Sequence, residues 1–169
     1  MSYSKDFPVS WDEIHRNSKL LAWRLLENGA PEGGAWKGIA AVTRGGLVPA
    51  CIIAREMDIR LIETVCVASY AHQDQGTAKV LKPLDALGDG AGWIVVDDLV
   101  DTGNTFRLIR QTLPRAQYVA VYAKPQGIPT CDTWITEVSQ DTWIYFPWDL
   151  EMQFRSPLAD LHKKDMGPR

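Results

Sequence analysis

The chain has 169 residues, 46% hydrophobic and 23% charged, the size and mix of one globular domain with a single core. A formal net charge of -3 argues against a nucleic-acid binder of the basic kind. No apolar run approaches the ~20 residues of a membrane span, and the first residues lack the pattern of a signal peptide.

Ser10, followed by Trp11, Asp12 and Glu13, is an N-cap with acid in the first turn. Ile14, Leu21, Leu25 and Leu26 recur near helical spacing, so a helix is predicted over 11–28. Lys37–Val42 is a short buried strand, and TRGGL leads into an apolar helix, VPACIIAREM, opened near its first turn by Pro49. Leu61–Ala68 and Trp93–Val96 are further strands, and the stretch 69–83 between them has no period and reads as a loop or hairpin. A helix is predicted over Phe106–Leu113, limited by Pro114. Tyr118–Ala123 is a strand, Thr133–Val138 an edge strand, and 143–149 an aromatic segment holding Pro147. Residues 1–150 form the expected domain, and 151–169 turn polar and read as a tail or short helix.

Strands alternating with helices, each strand a near-continuous apolar run, predict an α/β fold with a central, mostly parallel sheet flanked by helices. Cys51, Cys66 and Cys131 are odd in number and scattered, so reduced thiols are expected, with Cys51 and Cys66 as small core residues.

In such folds ligands gather beyond the carboxyl ends of the strands. Thr43-Arg44-Gly45-Gly46 follows the first strand, and its glycines permit close backbone approach while Arg44 adds a fixed charge. Asp97, Asp98 and Asp101 follow a strand that looks fully buried. Two adjacent aspartates point to opposite faces of a regular strand, so both are expected at its end, where it opens to solvent. Thr102, Gly103, Asn104 and Thr105 then form a turn whose hydroxyls and N–H groups suit a phosphate, while the carboxylates suit sugar hydroxyls or Mg²⁺. A phosphorylated sugar carries both features. Neither a P-loop nor a dinucleotide fingerprint is present.

VVDDLVDTGNT resembles the 5-phosphoribosyl-1-pyrophosphate (PRPP) motif of the type I phosphoribosyltransferases, and TRGGL resembles that family's pyrophosphate loop. Ser69-Tyr70 resembles the start of its flexible hood loop. KGIAAVTRGGLVPA, TVCVASY, YAKPQG and QDTWIYFPWD resemble bacterial members that act on guanine and xanthine. The resemblance runs from Trp11 to Asp149.

It implies transfer of a phosphoribosyl group from PRPP to guanine or xanthine, less well to hypoxanthine, giving GMP or XMP and pyrophosphate with Mg²⁺ as cofactor. By the same resemblance, Arg44 and Gly45 meet the pyrophosphate. Asp97 and Asp98 hold the ribose hydroxyls, with Asp98 near the metal. The run Leu99, Val100, Asp101, Thr102, Gly103, Asn104 and Thr105 completes the PRPP site. Lys124 faces the purine 6-oxo group, Trp143 stacks on the base, and the Trp143-Ile144 backbone reads position 2. Asp101 is the candidate catalytic residue, bonding to purine N7, with proton acceptance left open. The resemblance also implies a cis Thr43–Arg44 bond, a homotetramer, and a cytoplasmic place or a peripheral one at the inner membrane face.

Two departures from the family stand out: Asn104 where a second glycine is usual, and Gly76 where the hood carries an arginine, with Lys79 or Lys82 as substitutes. Two rivals remain open, a hypoxanthine-preferring enzyme and a PRPP-sensing regulator that binds nucleic acid. The lack of a clustered basic face argues against the second.

Overall fold

The computed structural model describes residues 3–30, 34–69 and 78–148. The predicted tail, His72, Gly76 and the hood between 70 and 77 lie outside them. The chain divides into two compact units, and each is described by itself: a sheet unit, Asp12–Gln140, and a terminal unit formed by the residues before and after it.

Among the described residues, the sheet unit has six strands: β2 (Gly38–Thr43), β3 (Ile62–Ser69), β4 (Ala78–Val80), β5 (Trp93–Val100), β6 (Gln117–Ala123) and β7 (Thr133–Glu137). Their order is β4-β3-β2-β5-β6-β7, and every pair is parallel except β3 with β4. The expected mostly parallel sheet is therefore present, with β7 at an edge. Three helices flank it: α1 (Trp11–Asn28), α2 (Leu47–Glu56) and α3 (Asn104–Arg110). α1 buries Ile14, Leu21 and Leu25, the predicted apolar stripe. α2 packs against β2 and β5. α3 joins Phe106 and Ile109 to a core that includes Ala40, Val42, Val95, Tyr118 and Ala120.

In the terminal unit, β1 (Lys5–Pro8) pairs in parallel with β8 (Thr142–Tyr145), bringing Asp6 opposite Trp143 and Phe7 opposite Ile144. The aromatic segment continues past β8, where Phe146 stacks on Trp148 with centroids 4.9 Å apart.

The structure corrects three local expectations and decides one that was left open. β5 does not stop at Val96. It runs through both aspartates to Val100, because Asp97 pairs with Ala120 and Leu99 with Tyr122 on β6, so the ladder satisfies the backbone there. α3 starts two residues before Phe106 and ends at Arg110. The stretch after β3 is a hairpin at its ends, since β4 pairs antiparallel with Val67–Ser69. Cys51 is exposed on α2, not in the core, whereas Cys66 is half-buried and Cys131 buried.

Burial pushes the Cys131 thiol up to about 12. A thiol reagent at mildly alkaline pH is therefore expected to label Cys51 quickly and Cys131 only after unfolding in denaturant. Cys51→Ser should remove the fast phase in a colorimetric thiol assay.

Candidate active site

The chain leaves β2 toward β3 on one side, and leaves β5 toward β6 and β7 on the other. The strand order thus reverses between β2 and β5, and a parallel sheet opens a crevice at such a point. The two loops singled out from the sequence leave these two neighbouring strands.

The loop after β2 holds a cis Thr43–Arg44 peptide bond, as the resemblance implies. Arg44 is exposed and Gly46 buried. A Cβ on Gly45 would lie 2.1 Å from Asp98 Oδ2, and one on Gly46 would lie 2.2 Å from the Val96 carbonyl oxygen. Both distances are impossible for real atoms, so the loop approaches β5 only because it carries no side chains there.

At the end of β5, Asp97 Oδ1 accepts a hydrogen bond from the Asp98 N–H at 3.0 Å, and Asp98 Oδ1 accepts from the Leu99 N–H at 2.7 Å. Both aspartates are half-buried, as is Leu99, while Val100 is buried. Burial, and then the neighbouring Asp98 charge, hold the Asp97 carboxyl well above the usual carboxylate range. A partner that supplies hydroxyl donors or positive charge would relieve this.

Residues 97 and 99–106 line a cleft of about 100 Å³. Gly103 sits at its turn with φ 81°, and a Cβ there would lie 2.6 Å from Thr130 Oγ1. The left-handed residue is thus Gly103, and Asn104 is the first helical residue of α3. Asn104 Oδ1 accepts from Arg107 Nη2 at 2.7 Å, and the same nitrogen donates to the Thr102 carbonyl at 2.8 Å. The departure at Asn104 therefore places no demand on left-handed backbone.

Asp101 and Lys124 come together. Lys124 Nζ donates to Asp101 Oδ2 at 2.9 Å, with the lysine side chain 1% exposed and the aspartate 32%. A lysine after an apolar strand reads as a surface residue, yet this one is enclosed. Such a charge is tolerated because a carboxylate sits against it. The turn after β6 sets this up: Lys124 N donates to the Val100 carbonyl, and Gly127 N donates back to the Lys124 carbonyl, both at 2.9 Å. Gly127 closes the turn against β5, where a Cβ would lie 2.6 Å from the Val100 carbonyl.

One further group was missed from the sequence. Gln140 Nε2 donates to Asp101 Oδ1 at 2.6 Å, and Gln140 Oε1 accepts from the Gln126 N–H at 3.0 Å. The only sequence signal was its place at the head of QDTWIYFPWD. Trp143 and Ile144 belong to the terminal unit, where Ile144 is buried. Trp143 is 40% exposed, and its ring meets Tyr3 edge-on at 4.8 Å. Of the two lysines near the hood, Lys82 pairs with Glu63, and Lys79 lies on β4 opposite Ala68.

Comparison with known proteins gives this geometry a family. The family described as Phosphoribosyl transferase domain matches residues 10–155. The chain is 57% identical over 159 residues to xanthine-guanine phosphoribosyltransferase of Nitratidesulfovibrio vulgaris strain DP4, covering 94% of this chain and 93% of that one. It is 55% identical over 157 residues to the protein of the same name from Desulfotalea psychrophila, covering 92% and 94%. Among solved structures, the purine phosphoribosyltransferase of Pyrococcus horikoshii superposes with a TM-score of 0.75 at 20% identity, over 91% of this chain and all of that one, a likeness of fold. A strand-end acidic pair, a glycine loop beside it, and sequence identity across nine-tenths of the chain agree, and the chain belongs to the phosphoribosyltransferase family.

Proposed function

We propose that the chain transfers the 5-phosphoribosyl group of PRPP to N9 of guanine or xanthine, releasing pyrophosphate and GMP or XMP, with hypoxanthine a poorer acceptor. The observation that carries this is the Lys124–Asp101 pair at 2.9 Å. A 6-oxopurine presents O6 and N7 side by side on one edge. A buried ammonium suits the oxygen, and a carboxylate beside it suits a proton on N7. The names of the curated relatives, at 55–57% identity, support the same acceptor class.

The reaction is substitution at the ribose anomeric carbon. N9 of the base forms the new bond, and the bond to the pyrophosphate oxygen breaks with its electrons leaving on pyrophosphate. The ribose passes through an oxocarbenium-like state. Arg44 and the Gly45 backbone hold the leaving group. The turn from Asp101 to Thr105, with Leu99 and Val100 before it, holds the 5′-phosphate. Asp97 and Asp98 hold the ribose hydroxyls, a partner that answers the raised Asp97 carboxyl. Asp101 accepts the N7 proton as N9 attacks. Trp143 stacks on the base and the Trp143-Ile144 backbone reads its position 2, a role that the exposed Trp143 ring supports.

Mg²⁺ fits the donor set, with Asp98 as its side-chain ligand. No group of three or more His, Cys, Asp or Glu stands ready for a metal among the described residues. Magnesium needs none, since it keeps waters and substrate oxygens and takes only one or two carboxylates. When bound, it neutralises charge on the departing pyrophosphate.

Leu20, Trp23 and Leu26 expose apolar surface on α1, with Trp23 63% exposed, which supports a homo-oligomer; we assign a tetramer. No helix among the described residues is long and apolar enough to cross a membrane. We assign a cytoplasmic place, or a peripheral one at the inner membrane face.

The test is product formation from PRPP and Mg²⁺ with each base. We expect GMP and XMP, with kcat/KM for hypoxanthine lowest; no PRPP-dependent turnover with any base would refute the proposal. Gly45→Ala should raise the KM for PRPP at least roughly tenfold, about 1.4 kcal/mol, because its Cβ displaces Asp98, while base affinity stays near normal. Asp101→Asn should lower kcat/KM for guanine by about 10²–10⁴, the range of a lost acid–base group, and steady-state kinetics would read it directly.

A further inference from the structure

Asp101 is gripped from two sides. Lys124 takes Oδ2, and Gln140 takes Oδ1 at 2.6 Å. The amide orientation follows from the network. The Gln126 N–H can only donate, so the atom of Gln140 facing it at 3.0 Å is the oxygen. That leaves the –NH₂ group turned toward the carboxylate. The Lys124–Gly127 turn therefore contributes twice: its first residue grips Asp101 directly, and its third residue grips the side chain that does so.

We propose that Gln140 is a positioning residue for transfer: locked by the Gln126 N–H, its amide fixes the Asp101 carboxylate so that Oδ2 stays beside Lys124 and faces N7 of the purine. The inference rests on the reading of Asp101 and Lys124 given above. A carboxylate tethered through one oxygen pivots about that contact. A second bond at the other oxygen fixes its plane, which matters for a group that must meet one ring nitrogen. Gln140 touches no substrate in this scheme and acts through Asp101.

Two variants separate this role from simple packing. Gln140→Leu removes both bonds. Gln140→Glu keeps the shape and the acceptor for the Gln126 N–H, but sets a second carboxylate against Asp101 in place of a donor. The readout is the ratio of guanine affinity to that of 7-deazaguanine, a guanine with C–H in place of N7, measured as KM and Ki. KM for PRPP and melting temperature are followed alongside. The full chain forming GMP and preferring guanine over the deaza base establishes the underlying reading, and failure there would overturn both proposals at once.

With that established, Gln140→Leu should shrink the preference roughly tenfold, the worth of one hydrogen bond to a charged group, with KM for PRPP unchanged within about twofold. Gln140→Glu should shrink it further. Parallel weakening of both bases, leaving the ratio intact, would overturn the positioning role, because a structural defect does not distinguish N7 from C–H. A wild-type ratio in Gln140→Glu would overturn it as well, and that variant retains the native shape if Gln140→Leu fails to fold.

Discussion

The site depends on how closely the loop after β2 comes to β5. Gly45 and Gly46 lie where any side chain would enter the Asp98 carboxylate or the Val96 carbonyl. Neighbouring parallel strands that hand the chain on to the same side leave no crevice between their loops. Here the chain leaves β2 and β5 in opposite directions, so a crevice opens between them, and the missing Cβ atoms let one wall reach the other. The loop that carries Arg44 thus lies against Asp98. A substrate with a charged leaving group on a polyol needs this juxtaposition, because the two ends of the reacting bond call for opposite chemistry.

Much of the fold was legible because local signals agreed with the tertiary result. In α1, the Ser10 cap, the acidic first turn and the Ile14, Leu21, Leu25 stripe all point one way, and the predicted limits match. What escaped depended on distant partners. β1 reads KDFP, four residues with two charges and a proline, and it is a strand only because β8 lies beside it. The acidic half of β5 looked like a strand end because carboxylates rarely continue a buried run, yet β6 pairs with it to Val100. Exposed Cys51 sits on a helix apolar enough to read as fully buried. In the site, the motif residues were legible because phosphate and polyol chemistry is local to one loop. The enclosure of Lys124 and the grip of Gln140 were not, since both are set by Asp101, 23 and 39 residues away in sequence.

In the proposed reading, the three aspartates put one side chain to three ends. Asp97 lies where burial and a like charge make its ionised form costly, so it favours a partner that brings donors or a cation. Asp98 is bonded to the Leu99 N–H and lies against Gly45, which fits it to the seam between sugar and leaving group. Asp101 is already matched by an ammonium and an amide. Its orientation is therefore set before a base arrives. In the proposed reading Lys124 keeps its hold on Asp101, because an ammonium has three donors and another can turn to a purine oxygen. An incoming 6-oxopurine would then place an acceptor beside the lysine and a donor beside the carboxylate, whereas a 6-aminopurine would set its own donor against a buried ammonium. On that reading, selection of the base follows from burying the lysine: an exposed one would satisfy itself with water and tolerate either purine.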